Sequence, residues 1–307
     1  MSSAVLAPTD NLLMYGLTGS GKTTQLAEVI KAQVAATGKP ALAYITDWGS
    51  VGPLHALRDA GKLECEEFRY GTDPFIWIDS AVQGLRFTNG KWVKPDHDKF
   101  CMGAMESLTG QGDLVLNALG HQVADGKNVG GNAMSAPSLA IQAQGYVIRI
   151  PSNSPTHYGM AQKHLLEKVW QAQLLPFPMV GTAQEDVQVP ENRDEQGNLR
   201  AGGVALTVGV RGIIGPNMAG HAMTLQLGKY FVFCFRLKQE PTAAGVEHVL
   251  LTQRHKDGLY EGLASNRAPL GTKQKVDSLV KPADVVKVLQ QIQAARAEER
   301  QTLGGVK

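Results

Sequence analysis

An α/β fold, with a mostly parallel central sheet flanked by helices, is what the sequence predicts, and three observations predict it. The apolar run Asn11-Leu-Leu-Met-Tyr15 ends in a glycine-rich turn, after which Leu26, Val29, Ile30 and Val34 recur at helical spacing. Ala41 to Ile45 is a second apolar run, continuous rather than alternating, as in a parallel strand covered on both faces. Farther on, strand-like runs at Phe100 to Met105, Pro178 to Ala183, Tyr230 to Phe235 and His248 to Thr252 are separated in places by helical stretches such as Tyr158 to Leu174. Strands alternating with crossover helices make a parallel sheet.

The chain opens strand, helix, strand, with Gly38 as the helix stop. Two segments break the alternation. Residues 120–155 hold Gly126, Gly130, Gly131 and several Ser, Asn and Pro, which predicts a long loop. Residues 186–215, centred on Asn192-Arg-Asp-Glu-Gln-Gly197, predict a polar hairpin insertion after a core strand. Residues 1–281 are expected to form one elaborated domain, and residues 282–307 a C-terminal helical tail with Val285, Leu289 and Ile292 as its apolar stripe.

At 307 residues, 43% hydrophobic and 19% charged, the chain can bury a large core and is not expected to be disordered. Its formal charge of +2 gives no global pull toward nucleic acid or membrane, so any nucleic-acid contact must be a local patch. Cys65, Cys101 and Cys234 match no zinc spacing, which favours a reducing cytosol. Without a signal-like leader or a run of about 18 apolar residues, the expected location is cytoplasmic, with no membrane partner.

Gly16-Leu17-Thr18-Gly19-Ser20-Gly21-Lys22-Thr23 fits G-x-x-x-x-G-K-[ST] at every fixed position, between a strand and a helix. The glycines let backbone N–H groups turn inward around phosphate oxygens, and the helix adds the positive end of its dipole. Lys22 would reach the β- and γ-phosphates of ATP, Thr23 would ligate Mg2+, and Thr24 is either an α-phosphate contact or simply a first-turn helix residue.

Such a site needs a carboxylate at the tip of a neighbouring strand. Asp79 follows the hydrophobic Phe75-Ile-Trp-Ile78, yet Pro74 precedes that run and Ser80 to Leu85 continues it as an amphipathic helix. Glu106 ends Phe100 to Met105 and is the preferred metal-side carboxylate; the alternative is a cap on a helix starting near Gly110. Asp47, just past the second strand, is a candidate general base or an ordinary turn aspartate. Gln184 and Glu185 end the strand Pro178 to Ala183, where a side-chain amide can sense the γ-phosphate or simply lie in a loop.

With these elements in order, the chain resembles the RecA-like P-loop ATPases, and more closely phage-encoded AAA-type nucleotide-binding proteins linked to single-strand annealing and recombination. The resemblance rests on Gly16 to Thr24, Ala43-Tyr-Ile-Thr-Asp47, Met105-Glu-Ser-Leu-Thr109, His157-Tyr-Gly-Met-Ala-Gln162 and Val180-Gly-Thr-Ala-Gln-Glu185. Gly215-Pro216, Gly220-His221 and Ala264-Ser-Asn-Arg267 extend it. It implies a RecA-like P-loop NTPase hydrolysing ATP with Mg2+, with Asp47 as catalytic carboxylate, Glu106 as Walker B acid and Gln184 as γ-phosphate sensor. Glutamate at 106 and aspartate at 47 depart from the usual family pattern, which makes binding better supported than turnover. The resemblance further implies a homo-oligomer, ring or filament, in which Lys256 and Arg267 reach a neighbour's ATP. It implies action on single-stranded DNA in a bacterial host's cytoplasm.

The loop 120–155 is the best candidate for DNA, with Lys127, Asn128, Arg149 and His157 as phosphate donors and Tyr146 and Tyr158 as rings; subunit contact is its other role. Trp48 is either a stacking partner for the base or a core residue. Three further functions stay open: a packaging or helicase motor, a small-molecule kinase and a nucleotide-binding scaffold with little turnover. A kinase would want an arginine-rich lid, and residues 186–215 hold only Arg193, Arg200 and Arg211.

Overall fold

A computed structural model describes residues 5–47, 51–69, 72–121, 139–143, 146–150, 155–188, 212–219, 226–258, 260–266 and 276–304. Strand β1 (Leu12–Gly16) leads into helix α1 (Lys22–Thr37), which stops where Gly38 turns left-handed at φ 71°. There follow β2 (Ala41–Ile45), α2 (Gly52–Asp59), β3 (Leu63–Glu67), α3 (Pro74–Val82), the small hairpin β4 (Arg86–Thr88) and β5 (Lys91–Val93), β6 (Gly103–Glu106) and α4 (Leu108–His121). The second half adds a hairpin of β7 (Leu139–Ala143) and β8 (Tyr146–Ile150), α5 (Pro155–Ala172), β9 (Met179–Gln188), β10 (Gly212–Asn217), β11 (Phe233–Thr242) and β12 (Gly245–Leu251). The short strands β13 (His255–Asp257), β14 (Tyr260–Gly262), β15 (Ser265–Asn266) and β16 (Leu279–Val280) precede the final helix α6 (Val285–Gly304).

The fold is α/β with a mixed, mostly parallel sheet of 12 strands. Its core, in the order β3-β2-β6-β9-β1-β11, is parallel throughout, and β10 and β12 extend it antiparallel. Burial on both faces explains the unbroken apolar runs: Leu12 and Met14 of β1 join one core, Leu13 and Tyr15 the other. The first core receives α1, α2 and α6 through residues such as Leu26, Ile30, Leu54, Val285 and Leu289; the second receives α3, α4 and α5 through Trp77, Ile78, Val115, Leu165 and Val169. The expected tail is therefore bound into the core beside α1, further tied by Arg296 Nη1 at 2.8 Å from Asp10 Oδ2.

One expectation needs correction. The segment 120–155 is not all loop: β7 and β8 pair antiparallel within it, although Gly126, Lys127, Asn128, Gly130 and Gly131 fall outside the described residues. The hairpin expected over 186–215 has its stem in the sheet, where β9 runs on to Gln188 and its last residues pair antiparallel with β10, register Asp186 to Gly215. Its centre, with Arg193, Arg200 and Arg211, lies outside the described residues. Phe75 to Ile78 is helix, as Pro74 before it and the amphipathic continuation after it indicate: the Asp73 carboxylate accepts hydrogen bonds from the amides of Phe75 (2.8 Å) and Ile76 (3.1 Å), and Pro74 suits the first helical position. Among the described residues no helix is long and apolar enough to cross a membrane.

Candidate functional site

The C-terminal ends of β1, β2 and β6 and the middle of β9 open onto a cleft of about 470 Å³ lined by Thr18, Gly19, Gly21 to Thr24, Asp47, Pro53, Glu106 and Gln184. Parallel sheets bind ligands at such strand ends. The loop between β1 and α1 is shaped by its glycines. Gly19 (φ 82°) and Gly21 (φ 90°) are left-handed, and a Cβ on Gly16 would lie 2.0 Å from the Leu237 carbonyl oxygen. No side chain caps α1, so its first-turn amides meet the cleft with the positive end of the helix dipole. The Lys22 ammonium donates to the carbonyls of Gly16 and Leu17, both at 2.9 Å. Burial lowers its pKa, against the opposing pull of Glu106, Glu185 and Asp47.

Glu106 is buried at the end of β6. Its Oε1 accepts from Thr23 Oγ1 at 2.8 Å and its Oε2 from Thr182 Oγ1 at 2.5 Å. Burial raises its pKa; both hydroxyls and Lys22 oppose that rise. Glu106 is thus held by two threonines and does not cap a helix, since α4 starts at Leu108. Thr46 ties the strand tips together, its amide donating to the Glu106 carbonyl (2.5 Å) and its hydroxyl to that of Ser107 (2.8 Å), and Asp47 follows directly.

Gln184 is not at a strand end but within β9, level with Gly16 of β1. Its amide donates to Thr109 Oγ1 at 2.8 Å, and its Oε1 accepts from Thr18 Oγ1 at 3.2 Å across the mouth of the loop. Next to it, Glu185 pairs with buried Arg236, with Nε to Oε2 at 3.0 Å and Nη2 to Oε1 at 3.2 Å. Arg236 also donates to Asp257 Oδ2 at 2.7 Å. This pair fixes the far half of β9 to β11 and leaves Gln184 facing the cleft.

Other expected residues lie elsewhere. Asp79 is in α3, 2.6 Å from Lys168 Nζ, and lines a different hollow. Lys256 is exposed on β13 and outside the cleft lining; Arg267 and Trp48 fall outside the described residues. Sequence reasoning missed three supports: Thr182; Gln239, whose Nε2 donates to the Gly19 carbonyl at 2.8 Å; and His248, whose Nδ1 meets the Ser20 carbonyl at 3.0 Å and therefore carries its proton. Only Thr182, on the strand before Gln184, carried a local signal.

No family model matches the chain, and no curated protein matches it. Among solved structures it is similar to a KaiC-like protein from the hyperthermophilic archaeon Pyrococcus horikoshii OT3, with 8% identity, 80% of this chain and 79% of that chain covered, and a TM-score of 0.41. The chemistry of the site is read from its own residues. They fit a metal-bound triphosphate: amides, an ammonium and a helix dipole suit phosphate, and the Thr23 and Glu106 oxygens suit a hard divalent cation.

Proposed function

We propose that this chain binds ATP with Mg2+ at Gly16 to Thr24 and hydrolyses it to ADP and phosphate. The observation that carries this is the 2.8 Å contact between Thr23 and Glu106, which brings the hydroxyl of the loop motif and a strand-tip carboxylate to one point beside Lys22. Loop amides and Lys22 bind the phosphates, Thr23 and Glu106 hold the metal, and Asp47 takes the proton of the attacking water. Gln184 orients at the γ-phosphate end beside Thr18. Mg2+ there supplies neutralisation of charge on the phosphoryl oxygens.

Gln239 and His248 position the loop rather than touch the substrate. His248→Ala is expected to weaken ATP binding about fivefold, the worth of a hydrogen bond of about 1 kcal/mol. Calorimetric titration checks this, and unchanged affinity would remove His248 from the support of the loop.

The resemblance alone extends the proposal to phage DNA recombination or annealing, with single-stranded DNA as partner and a homo-oligomer as the active form. In that form Lys256, exposed on β13, is proposed to reach a neighbour's ATP. Phosphate release is measured with ATP and Mg2+, with and without single-stranded DNA at low salt. Release is expected, and faster with DNA. Release without stimulation or a gel shift favours a kinase or scaffold role, and no release with or without DNA leaves binding without turnover.

A further inference from the structure

Two threonine hydroxyls share the Glu106 carboxylate, one on each oxygen: Thr23 Oγ1 donates to Oε1 at 2.8 Å and Thr182 Oγ1 to Oε2 at 2.5 Å. Thr23 lines the phosphate cleft with Glu106, whereas Thr182 is fully buried and outside that lining. Strand pairing holds Thr182 on both sides: it is level with Met14 of β1 and follows Gly181, whose partner on β6 is Met105. Glu106 is held at its backbone too, where its carbonyl accepts from the Thr46 amide at 2.5 Å. Turning Oε2 toward the cleft would break its bond to Thr182 and leave a buried hydroxyl without that partner, a costly loss because the bond is to a charged oxygen.

We infer that Thr182 is a positioning residue that sets which cation the site takes: by holding Oε2 it leaves Glu106 one oxygen, Oε1 beside Thr23, for the metal, and so makes the site select Mg2+ over Ca2+. The inference rests on the metal-bound triphosphate site proposed above. Ca2+ gathers about 6–8 oxygens in a flexible shell and often takes a carboxylate through both oxygens, whereas Mg2+ takes few carboxylate oxygens, with phosphates and waters, in a tight octahedron. Selectivity between the two therefore turns on ligand number and rigidity. Both favour Mg2+ here. The cleft lining holds two carboxylates, Glu106 and Asp47, and among the described residues no group of three or more His, Cys, Asp or Glu could hold a metal. Thr182→Val keeps the branched shape at this position and removes the donor, so that Oε2 gains most from meeting a cation as well.

The test is binding of a fluorescent, non-hydrolysable ATP analogue at rising Mg2+ or Ca2+, read as the concentration of each cation that gives half-saturation. Comparing the Ca2+/Mg2+ ratio between variants cancels each cation's own affinity for the analogue. The wild type is expected to need about tenfold less Mg2+ than Ca2+. In Thr182→Val, and in Thr182→Ala as a second variant without the hydroxyl, the two concentrations should come within about threefold, chiefly because Ca2+ binds better. Thr182→Ser should restore the wild-type ratio, and with Glu106→Gln already in place Thr182→Val should leave the ratio unchanged. A merely structural role would weaken binding with both cations alike. A wild-type ratio below about threefold, the wild-type ratio kept in both variants without the hydroxyl, or an equal effect of Thr182→Val with Gln at 106 overturns the inference; cation-dependent binding then leaves the triphosphate site standing. Failure of the wild type to bind the analogue with either cation overturns the inference together with the site beneath it.

Discussion

Lys22→Ala is expected to lower ATP affinity about 100-fold or more and to abolish measurable hydrolysis, while the protein stays folded. The loss follows from what an ammonium contributes to a polyphosphate: charge-assisted hydrogen bonds of about 1.5–3 kcal/mol each, with about 1.4 kcal/mol per tenfold in affinity. Folding tolerates the change because the two hydrogen bonds Lys22 makes go to carbonyls of its own loop, and removing it also removes the cost of a buried charge. Equilibrium titration with ATP and circular dichroism on one preparation check both halves. Wild-type turnover in this variant would end the assignment of the loop to phosphate.

Glu106→Gln is expected to cut hydrolysis on the order of 100-fold, because the oxygen paired with Thr23 loses the charge needed to hold a divalent cation. The same variant should be more stable than the wild type at neutral pH without nucleotide. Burial raises the Glu106 pKa in the folded state, so the folded protein binds this proton more tightly than the unfolded chain does. Stability from this group is full below the ordinary carboxylate pKa and is lost as pH rises through the raised one. Glutamine never ionises and escapes that loss. It can also keep both hydrogen bonds, since Thr182 can rotate its hydroxyl to accept from the new amide. Melting curves from acid to neutral pH should therefore diverge as pH rises, the variant higher; parallel curves would mean that Glu106 is not a buried titrating group.

What could be read from the sequence is what is local. Gly16 to Thr23 declares itself because glycine, lysine and threonine at fixed spacing meet one backbone need within a single turn. β2 was legible because both its faces are buried, which leaves an unbroken apolar run. Phe75 to Ile78, a short apolar run with no period of its own, was legible as helix from Pro74 before it and Ser80 to Leu85 after it, and Asp73 caps α3. The hairpin of β7 and β8 was hidden by the Gly, Ser and Asn around it. The supports of the loop were out of reach, for Gln239 and His248 meet carbonyls 220 and 228 residues away, and only the register of β11 and β12 beside β1 brings them there.

The most direct test of the central claim is a structure of the chain with Mg2+ and a non-hydrolysable ATP analogue. The β-phosphate is expected within hydrogen-bonding distance of the amides from Gly19 to Thr23, with Lys22 drawn off the Gly16 and Leu17 carbonyls and the metal on Thr23 Oγ1. A nucleotide bound elsewhere, with Lys22 still folded onto those carbonyls and Thr23 still donating to Glu106, would contradict it.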